Sequence, residues 1–148
     1  MKKIAIALFM MLGYISFAQS IDYNTKKGYA INGYDVVAYF DGNAINGSKE
    51  FSTQYDGVNF KFSSQENKDK FTANPSQYIP QYGGYCAFAV AKSGRKVSVN
   101  PETFEIRDGK LYLFYNSGGT NTLQLWTDQS PKDLQVIADK NWQTIKNK

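Results

Sequence analysis

Two Asp-Gly pairs, each flanked by alternating apolar and polar residues, constrain the fold of this chain most. Asp56-Gly57 divides residues 51–62 into two arms, and Asp108-Gly109 divides residues 104–114 in the same way. A two-residue hairpin turn needs positive φ at its central positions, which Asp and Gly tolerate. We therefore predict two antiparallel β-hairpins.

The alternation also predicts which side chains of each hairpin face the core, because successive residues of a strand point to opposite faces. The predicted core-facing residues of the first hairpin are Phe51, Thr53, Tyr55, Val58, Phe60 and Phe62. Those of the second hairpin are Phe104, Ile106, Leu111 and Leu113.

Helix signals are found at two places. Residues 63–66 read Ser-Ser-Gln-Glu, a capping box with Ser63 as N-cap, which predicts a helix running to about Asn74. Ser130 followed by Pro131 predicts the start of a C-terminal helix. The apolar residues of that helix follow one helical face: Leu134, Ile137, Ala138, Trp142 and Ile145.

Residues 34–40 and 85–91 are also apolar, but their pattern does not separate strand from helix. The fold prediction is an α+β protein. It is a small single domain with two antiparallel β-hairpins packed against a few short helices and a C-terminal helix.

Residues 1–18 have the pattern of a cleavable signal peptide: Lys2-Lys3, an apolar stretch, then small residues ending at Ala18. A membrane anchor is the alternative, but a spanning helix needs about 20 apolar residues and this stretch is shorter. We expect a bacterial protein that is periplasmic or secreted. Its mature part, residues 19–148, is one domain with a C-terminal extension and no membrane span.

Composition excludes many activities. The chain has no His, its three Met all lie within residues 1–18, and Cys86 is its only cysteine. No intramolecular disulfide, catalytic triad or Cys-His pair can therefore form. A zinc site or a soft copper site cannot be built by the mature chain alone.

The charge of the mature chain is close to neutral. Removing Lys2 and Lys3 from the 17 basic residues leaves 15, against 13 acidic residues. Nucleic-acid binding normally needs basic residues clustered on one face, so we expect no nucleic-acid partner. We interpret Lys26-Lys27 as solvated surface, and residues 117–120, Ser-Gly-Gly-Thr, as a loop rather than an anion-binding nest.

Four segments, in this order, resemble the YHS-domain family: residues 32–40, 55–64, 71–78 and 80–87. Residues 108–113 and 138–142 are similar to its longer, exported branch. The resemblance implies metal binding through cysteines, at positions that fall on Ala38, Ser63 and Asn67 in this chain. None of these is a cysteine, so no cofactor is predicted.

Cys86 is the strongest candidate site residue. It follows Gly83-Gly84-Tyr85, and glycines permit close approach of the backbone to a ligand. A small buried side chain is the alternative interpretation of this thiol. We expect Tyr34 and the other candidates to line a pocket with it: Asp35, Tyr39, Tyr82, Gly84 and Tyr85. For Asp35, capping of a nearby turn is the alternative.

We therefore expect a non-catalytic binding module for an unknown small molecule or protein partner. One alternative is a thiol-dependent redox factor that uses Cys86, although the chain has no second cysteine to resolve a disulfide. The other is a carbohydrate-binding module, which would expose Trp126 and Trp142 as flat rings.

Overall fold

The first sheet is built on the predicted Asp56-Gly57 hairpin. It has four strands in the order β1-β2-β4-β3. They are β1 (Thr25–Lys26), β2 (Tyr29–Ala30), β3 (Ser48–Tyr55) and β4 (Val58–Phe62). The computed structural model describes residues 20–148, so the predicted leader, residues 1–18, lies outside the described residues.

Strand pairing in this sheet is antiparallel except between β2 and β4, where Tyr29 lies opposite Asn59 in parallel. At the hairpin turn Tyr55 pairs with Val58, as predicted. The pairing shifts near the start of β3, where Ser48 lies opposite Phe62 but Ser52 lies opposite Lys61. The residues between Ser48 and Ser52 therefore form a bulge, a feature that bends a strand and redirects its side chains.

The second predicted hairpin is also present, as β5 (Asn100–Arg107) and β6 (Lys110–Phe114). One prediction about its faces is wrong, because Ile106 is 36% exposed. Four consecutive residues of β6 are buried: Leu111, Tyr112, Leu113 and Phe114. Leu111 and Leu113 belong to the cluster that includes Phe60, Phe62 and Phe71, whereas Tyr112 and Phe114 belong to the cluster formed with the helices at residues 87–93, 122–128 and 131–145. Residues 117–120 close a small hairpin between β7 (Asn116–Ser117) and β8 (Thr120–Asn121).

Within residues 20–148, five α-helices complete the α+β fold. They are α1 (Gln65–Ala73), α2 (Pro75–Tyr78), α3 (Ala87–Ser93), α4 (Thr122–Asp128) and the C-terminal α5 (Pro131–Ile145). Short 3-10 turns are found at Ile31–Gly33, Ala38–Asp41 and Gln81–Gly84. Of the two ambiguous apolar segments, residues 85–91 are mainly helical, whereas residues 34–40 form a turn followed by the 3-10 helix that begins at Ala38. Helix α4 is an element that the sequence did not predict. Among the described residues, no helix has the length and apolar character needed to cross a membrane.

Three details of the predicted helices are corrected. The N-cap of α1 is Ser64, whose Oγ accepts from the Asn67 amide at 3.1 Å, because the Ser63 hydroxyl is directed elsewhere. Helix α5 begins at Pro131 as predicted, but the Ser130 hydroxyl donates to the Asp133 carboxylate instead of capping a backbone amide. Ile137 is 46% exposed, because only Leu134, Ala138 and Trp142 of the stripe are buried in the interface with the rest of the protein.

The buried apolar side chains of the described residues form two clusters. One lies between the first sheet, α1 and the loop before β3, and includes Tyr39, Phe60, Phe62 and Phe71. The other lies among α3, α4, α5 and β6, and its largest residues are Tyr82, Tyr112, Phe114, Trp126 and Trp142.

Candidate functional site

The carboxylate of Asp35 is fully buried and collects hydrogen bonds from three segments. Its Oδ1 accepts from the amides of Val37 at 2.9 Å and Ala38 at 3.2 Å. Its Oδ2 accepts from the Ser63 amide at 2.8 Å, the Ser63 hydroxyl at 2.7 Å and Asn67 Nδ2 at 2.8 Å. Asp35 therefore caps a turn and also ties that turn to the end of β4 and to α1.

Two left-handed turns are joined to each other through Asn24. Residues 31–33 and residues 82–84 all have positive φ. The buried Asn24 joins the turns, since its amide donates to Gly83 O at 2.8 Å and its Nδ2 donates to Gly84 O at 3.0 Å. The carbonyl of Asn24 accepts from the Ile31 amide at 2.9 Å. Gly84 thus serves the packing of these turns.

Tyr82 is buried, and its hydroxyl donates to Asp139 Oδ1 at 2.8 Å. Burial, reinforced by this hydrogen bond to a carboxylate, raises the pKa of Tyr82 well above its ordinary value. The ring lines a cleft of about 390 Å³ that Trp142 also borders. Tyr39 is fully buried, its hydroxyl donates to Pro101 O at 2.6 Å, and burial raises its pKa as well.

Cys86 is fully buried at the start of α3. Its Sγ lies 3.3 Å from Thr122 Oγ1, and that hydroxyl lies 2.7 Å from the Tyr115 carbonyl. Neighbouring Tyr85 is half-buried and donates to Asp22 Oδ2 at 3.1 Å. Burial, with Asp22 nearby, raises the pKa of Tyr85 to about 12.

The six residues predicted to bind a ligand are thus divided among several surroundings. Asp35 is buried beside the turn that it caps, and Tyr39 lies in the first hydrophobic cluster. Gly84 lies in the second of the two left-handed turns, and Tyr82 borders the 390 Å³ cleft. Ligand contact at these positions, and at Cys86 and Tyr85, stays a prediction.

A different cleft carries the most distinctive chemistry. Its volume is about 460 Å³, and its lining residues are Lys26, Lys27, Tyr29, Asn32, Tyr34, Lys49, Lys61 and Pro101. Four of these eight side chains carry an ammonium group and none carries a carboxylate. We call this feature the lysine cleft. Tyr34, expected to line a pocket, is the link between the sequence prediction and this cleft.

The topology of the first sheet brings these lysines together. Lys26 and Lys27 lie at the turn between β1 and β2, and the parallel pairing of β2 with β4 brings them near Lys61. Lys49 lies in the bulge of β3, which is held by hydrogen bonds from Ser52 Oγ to Lys49 O at 3.0 Å and from the Glu50 amide to Ser48 Oγ at 3.3 Å.

Lys61 is the most tightly positioned of the four. A Cβ on Gly33 would lie 2.6 Å from Lys61 Cε, and a Cβ on Gly47 would lie 2.5 Å from Lys61 Cβ. The aliphatic stem therefore packs where these two glycines leave room. Its ammonium lies 4.3 Å from the centroid of the Tyr29 ring, a favourable cation–π distance.

Within the described residues, no carboxylate lines the cleft or forms an ion pair with its lysines. The ion pairs of residues 20–148 join Lys70 to Glu66, Lys96 to Asp22 and Arg107 to Glu105, and none uses a cleft lysine. Like charges gathered in a concave surface create a positive potential that attracts anions.

Comparison with known families finds a match for one part of the chain. This part contains two of the cleft lysines, Lys49 and Lys61, and also Ser63 and Asn67, the two residues after β4 that bind Asp35. The family model for the YHS domain matches residues 36–82. Residues 36–82 form a YHS domain. In this chain the YHS domain includes β3, β4, α1 and α2. No curated protein and no solved structure is significantly similar to the chain.

The metal site implied by the YHS resemblance does not fit the residues present. Ala38 has no ligand atom in its side chain, and the Ser63 hydroxyl and Asn67 amide both donate to Asp35. Both oxygens of that carboxylate already accept at least two hydrogen bonds. Within residues 20–148, no three His, Cys, Asp or Glu side chains come together as a metal-ligand group.

The sequence prediction missed the lysine cleft because its members are far apart in the chain. Lys26-Lys27 is an ordinary basic pair, and Lys49 and Lys61 are isolated lysines in β-strands. The sequence feature related to this cleft is the pair Gly33 and Gly47, because the absence of a Cβ at each makes room for the Lys61 side chain. The sequence alone does not show that these glycines lie beside Lys61.

Proposed function

We propose that this protein is a non-catalytic binding module of YHS type that holds a small molecule in the lysine cleft. The observation that carries the proposal is the gathering, around one cleft of about 460 Å³, of four lysines that form no ion pair within residues 20–148. Ligand pockets are concave and commonly have volumes of about 300–1,000 Å³.

The lining of the cleft supports binding rather than catalysis. General acid–base chemistry needs a group that gains and loses a proton near the working pH, most often His or a carboxylate. The cleft residues are Lys, Tyr, Asn and Pro, and the chain has no His.

Both alternative functions have an observation against them. A redox thiol must reach its partner, whereas Cys86 is fully buried. A carbohydrate-binding surface presents exposed rings, whereas Trp126 is fully buried and Trp142 is 8% exposed.

We also propose that the module works in the periplasm or outside the cell, which the signal-like pattern of residues 1–18 supports. We further propose that it works without a bound metal or other cofactor.

The test is native mass spectrometry and thermal unfolding of the protein purified from its own host. A cleft variant carries Lys49→Gln and Lys61→Gln. The matched control carries Lys132→Gln and Lys140→Gln, which change two exposed lysines of α5. We expect wild type and control to retain a small molecule that raises the Tm by mass action, and the cleft variant to lose it.

Retention of the same compound by the cleft variant would place the binding site elsewhere. If neither the host extract nor a small-molecule screen yields a ligand that raises the Tm of the wild type, the proposal is wrong.

A further inference from the structure

Resting on the proposed function, we propose that the ligand of the lysine cleft is a small organic polyanion. The shared chemistry is at least two negative charges on phosphate or carboxylate oxygens, attached to an organic body.

The first step is the charge of the cleft. Lys26, Lys27, Lys49 and Lys61 line it together, with no carboxylate in the lining and no ion pair to any of the four among residues 20–148. Like charges that line one cleft repel one another, and an anion placed between them reduces that repulsion. A ligand with a single negative charge would leave most of the repulsion among the four lysines uncompensated.

The second step is preorganisation. Lys61 is held by its packing against Gly33 and Gly47 and by the Tyr29 ring, so binding costs little of its conformational freedom. Lys26 and Lys27 are exposed at a turn and Lys49 is exposed in the bulge, so these three can adapt to ligands of different shape. Lys61 is therefore the anchor of the site.

The third step is the kind of cation. The chain has two arginines, Arg95 and Arg107, and neither lines the cleft. Arginine recognises planar or bidentate groups, whereas lysine acts as a point charge. The cleft accordingly accepts carboxylate and phosphate oxygens alike.

The fourth step is size. A cleft of about 460 Å³ is larger than one phosphate ion needs, and Tyr34 and Pro101 supply wall surface beside the ammonium groups. Lys61 covers one face of the Tyr29 ring, and Tyr34 and Pro101 are further contacts that the lining offers to the organic body.

The experiment is calorimetric titration with glucose 6-phosphate, citrate, inorganic phosphate and glucose, each at low and high salt. We expect the first two probes to bind most tightly and to weaken as salt rises, because salt screens exposed charges. We expect Lys61→Gln to weaken both by roughly tenfold or more, since a hydrogen bond to a charged group is lost. Lys132→Gln on α5 is the control and should leave affinity unchanged.

Two results overturn the ligand class and leave the proposed function standing. One is tight, salt-independent binding of glucose that the Lys49→Gln and Lys61→Gln variant abolishes. The other is equal affinity for inorganic phosphate and the organic anions. Circular dichroism and the Tm of Lys61→Gln check that the variant is folded. If it unfolds, Lys49→Gln takes its place, since Lys49 is exposed.

Two further probes separate a small molecule from a macromolecular polyanion. Vesicles rich in phosphatidylglycerol and a single-stranded oligonucleotide are titrated under the same conditions. Tighter binding of either than of citrate or glucose 6-phosphate overturns the proposal in favour of an extended anionic surface. Weaker binding of both supports it. If no probe binds and no host molecule is retained, the proposed function itself fails.

Discussion

The side chain of Ile31 fills the space directly beside Gly84, so a Cβ on that glycine would overlap Ile31 Cδ1. Both residues have positive φ, 51° for Ile31 and 83° for Gly84. A β-branched residue in this conformation is strained, and complete burial of its side chain offsets the strain. Gly84, predicted as a ligand contact, thus has a clear packing role.

We predict that Gly84→Ala lowers the free energy of unfolding by about 2–4 kcal/mol, because overpacking adds to the cost of positive φ. Gly28→Ala is the matched control, since Gly28 has a similar φ of 82° and open space around a Cβ. Urea unfolding of both variants measures the difference. Ile31→Val removes Cδ1 and should recover part of the loss in the Gly84→Ala background. Equal losses at the two glycines would refute the packing argument.

Replacing Asp35 by Ala should destabilise the protein by about 3 kcal/mol or more. The change leaves the buried amide of Val37 and the partly buried donors of Ser63 and Asn67 without an acceptor. Asp41→Ala is the control, because Asp41 is an exposed acid in the same segment. The two variants are compared by chemical denaturation, and a similar small effect in both would show that the Asp35 network contributes little.

Zinc, copper or a chelator should leave the Tm of the protein unchanged. The expectation follows from the alanine at position 38 and from the engagement of Ser63 and Asn67 with Asp35. Thermal unfolding with each metal, together with elemental analysis, checks it. A metal-dependent rise of Tm with one metal bound per chain would contradict it.

Cys86 should resist a maleimide in the native protein and react once the chain is denatured, because its thiol has no exposed surface. An accessible thiol in the same molecule provides the control: Lys132→Cys, on the exposed part of α5, should label at once. Mass spectrometry counts the labels. Fast native labelling at Cys86 would revive the redox alternative.

Stability should fall steeply above pH 10. Burial raises the pKa of Tyr39 and Tyr82 well above the value of about 10 that tyrosine has in an unfolded chain. Above pH 10 the folded state then binds more protons than the unfolded state. The contribution of these tyrosines to the free energy of unfolding is therefore constant below pH 10 and is lost as the pH rises further. Each such tyrosine contributes about 1.4 kcal/mol per pH unit.

Urea unfolding over this pH range measures the slope, and Tyr82→Phe should reduce it by one residue's share. The result that would disprove this is the appearance of tyrosinate absorbance from all tyrosines near pH 10 while circular dichroism still shows a folded protein.

Local chemistry explains which parts of the fold the sequence could predict. The Asp56-Gly57 and Asp108-Gly109 hairpins and the start of α5 at Pro131 depend on neighbouring residues, and the structure confirms them. The first helix was predicted one residue early, because Ser63 and Ser64 are equivalent as caps until Asp35 engages Ser63.

The candidate site could not be predicted in the same way. Lys26, Lys49 and Lys61 come to line one cleft through the parallel pairing of β2 with β4 and the bulge in β3. Neither feature has a local sequence signal. The hypothesis of a Cys86 pocket followed from glycines that, in the structure, make room for Ile31 and for Trp142.

The hydrogen bonds of Asp35 reach across 28 and 32 positions of the chain, to Ser63 and Asn67. When any one of these partners moves away, the Asp35 carboxylate loses a hydrogen bond that helps to hold it in place for the other donors. Local unfolding of one segment alone is therefore unfavourable. The amides of Val37, Ala38 and Ser63 should then exchange with solvent through one shared opening event, with a common free energy of opening, although they belong to separate segments.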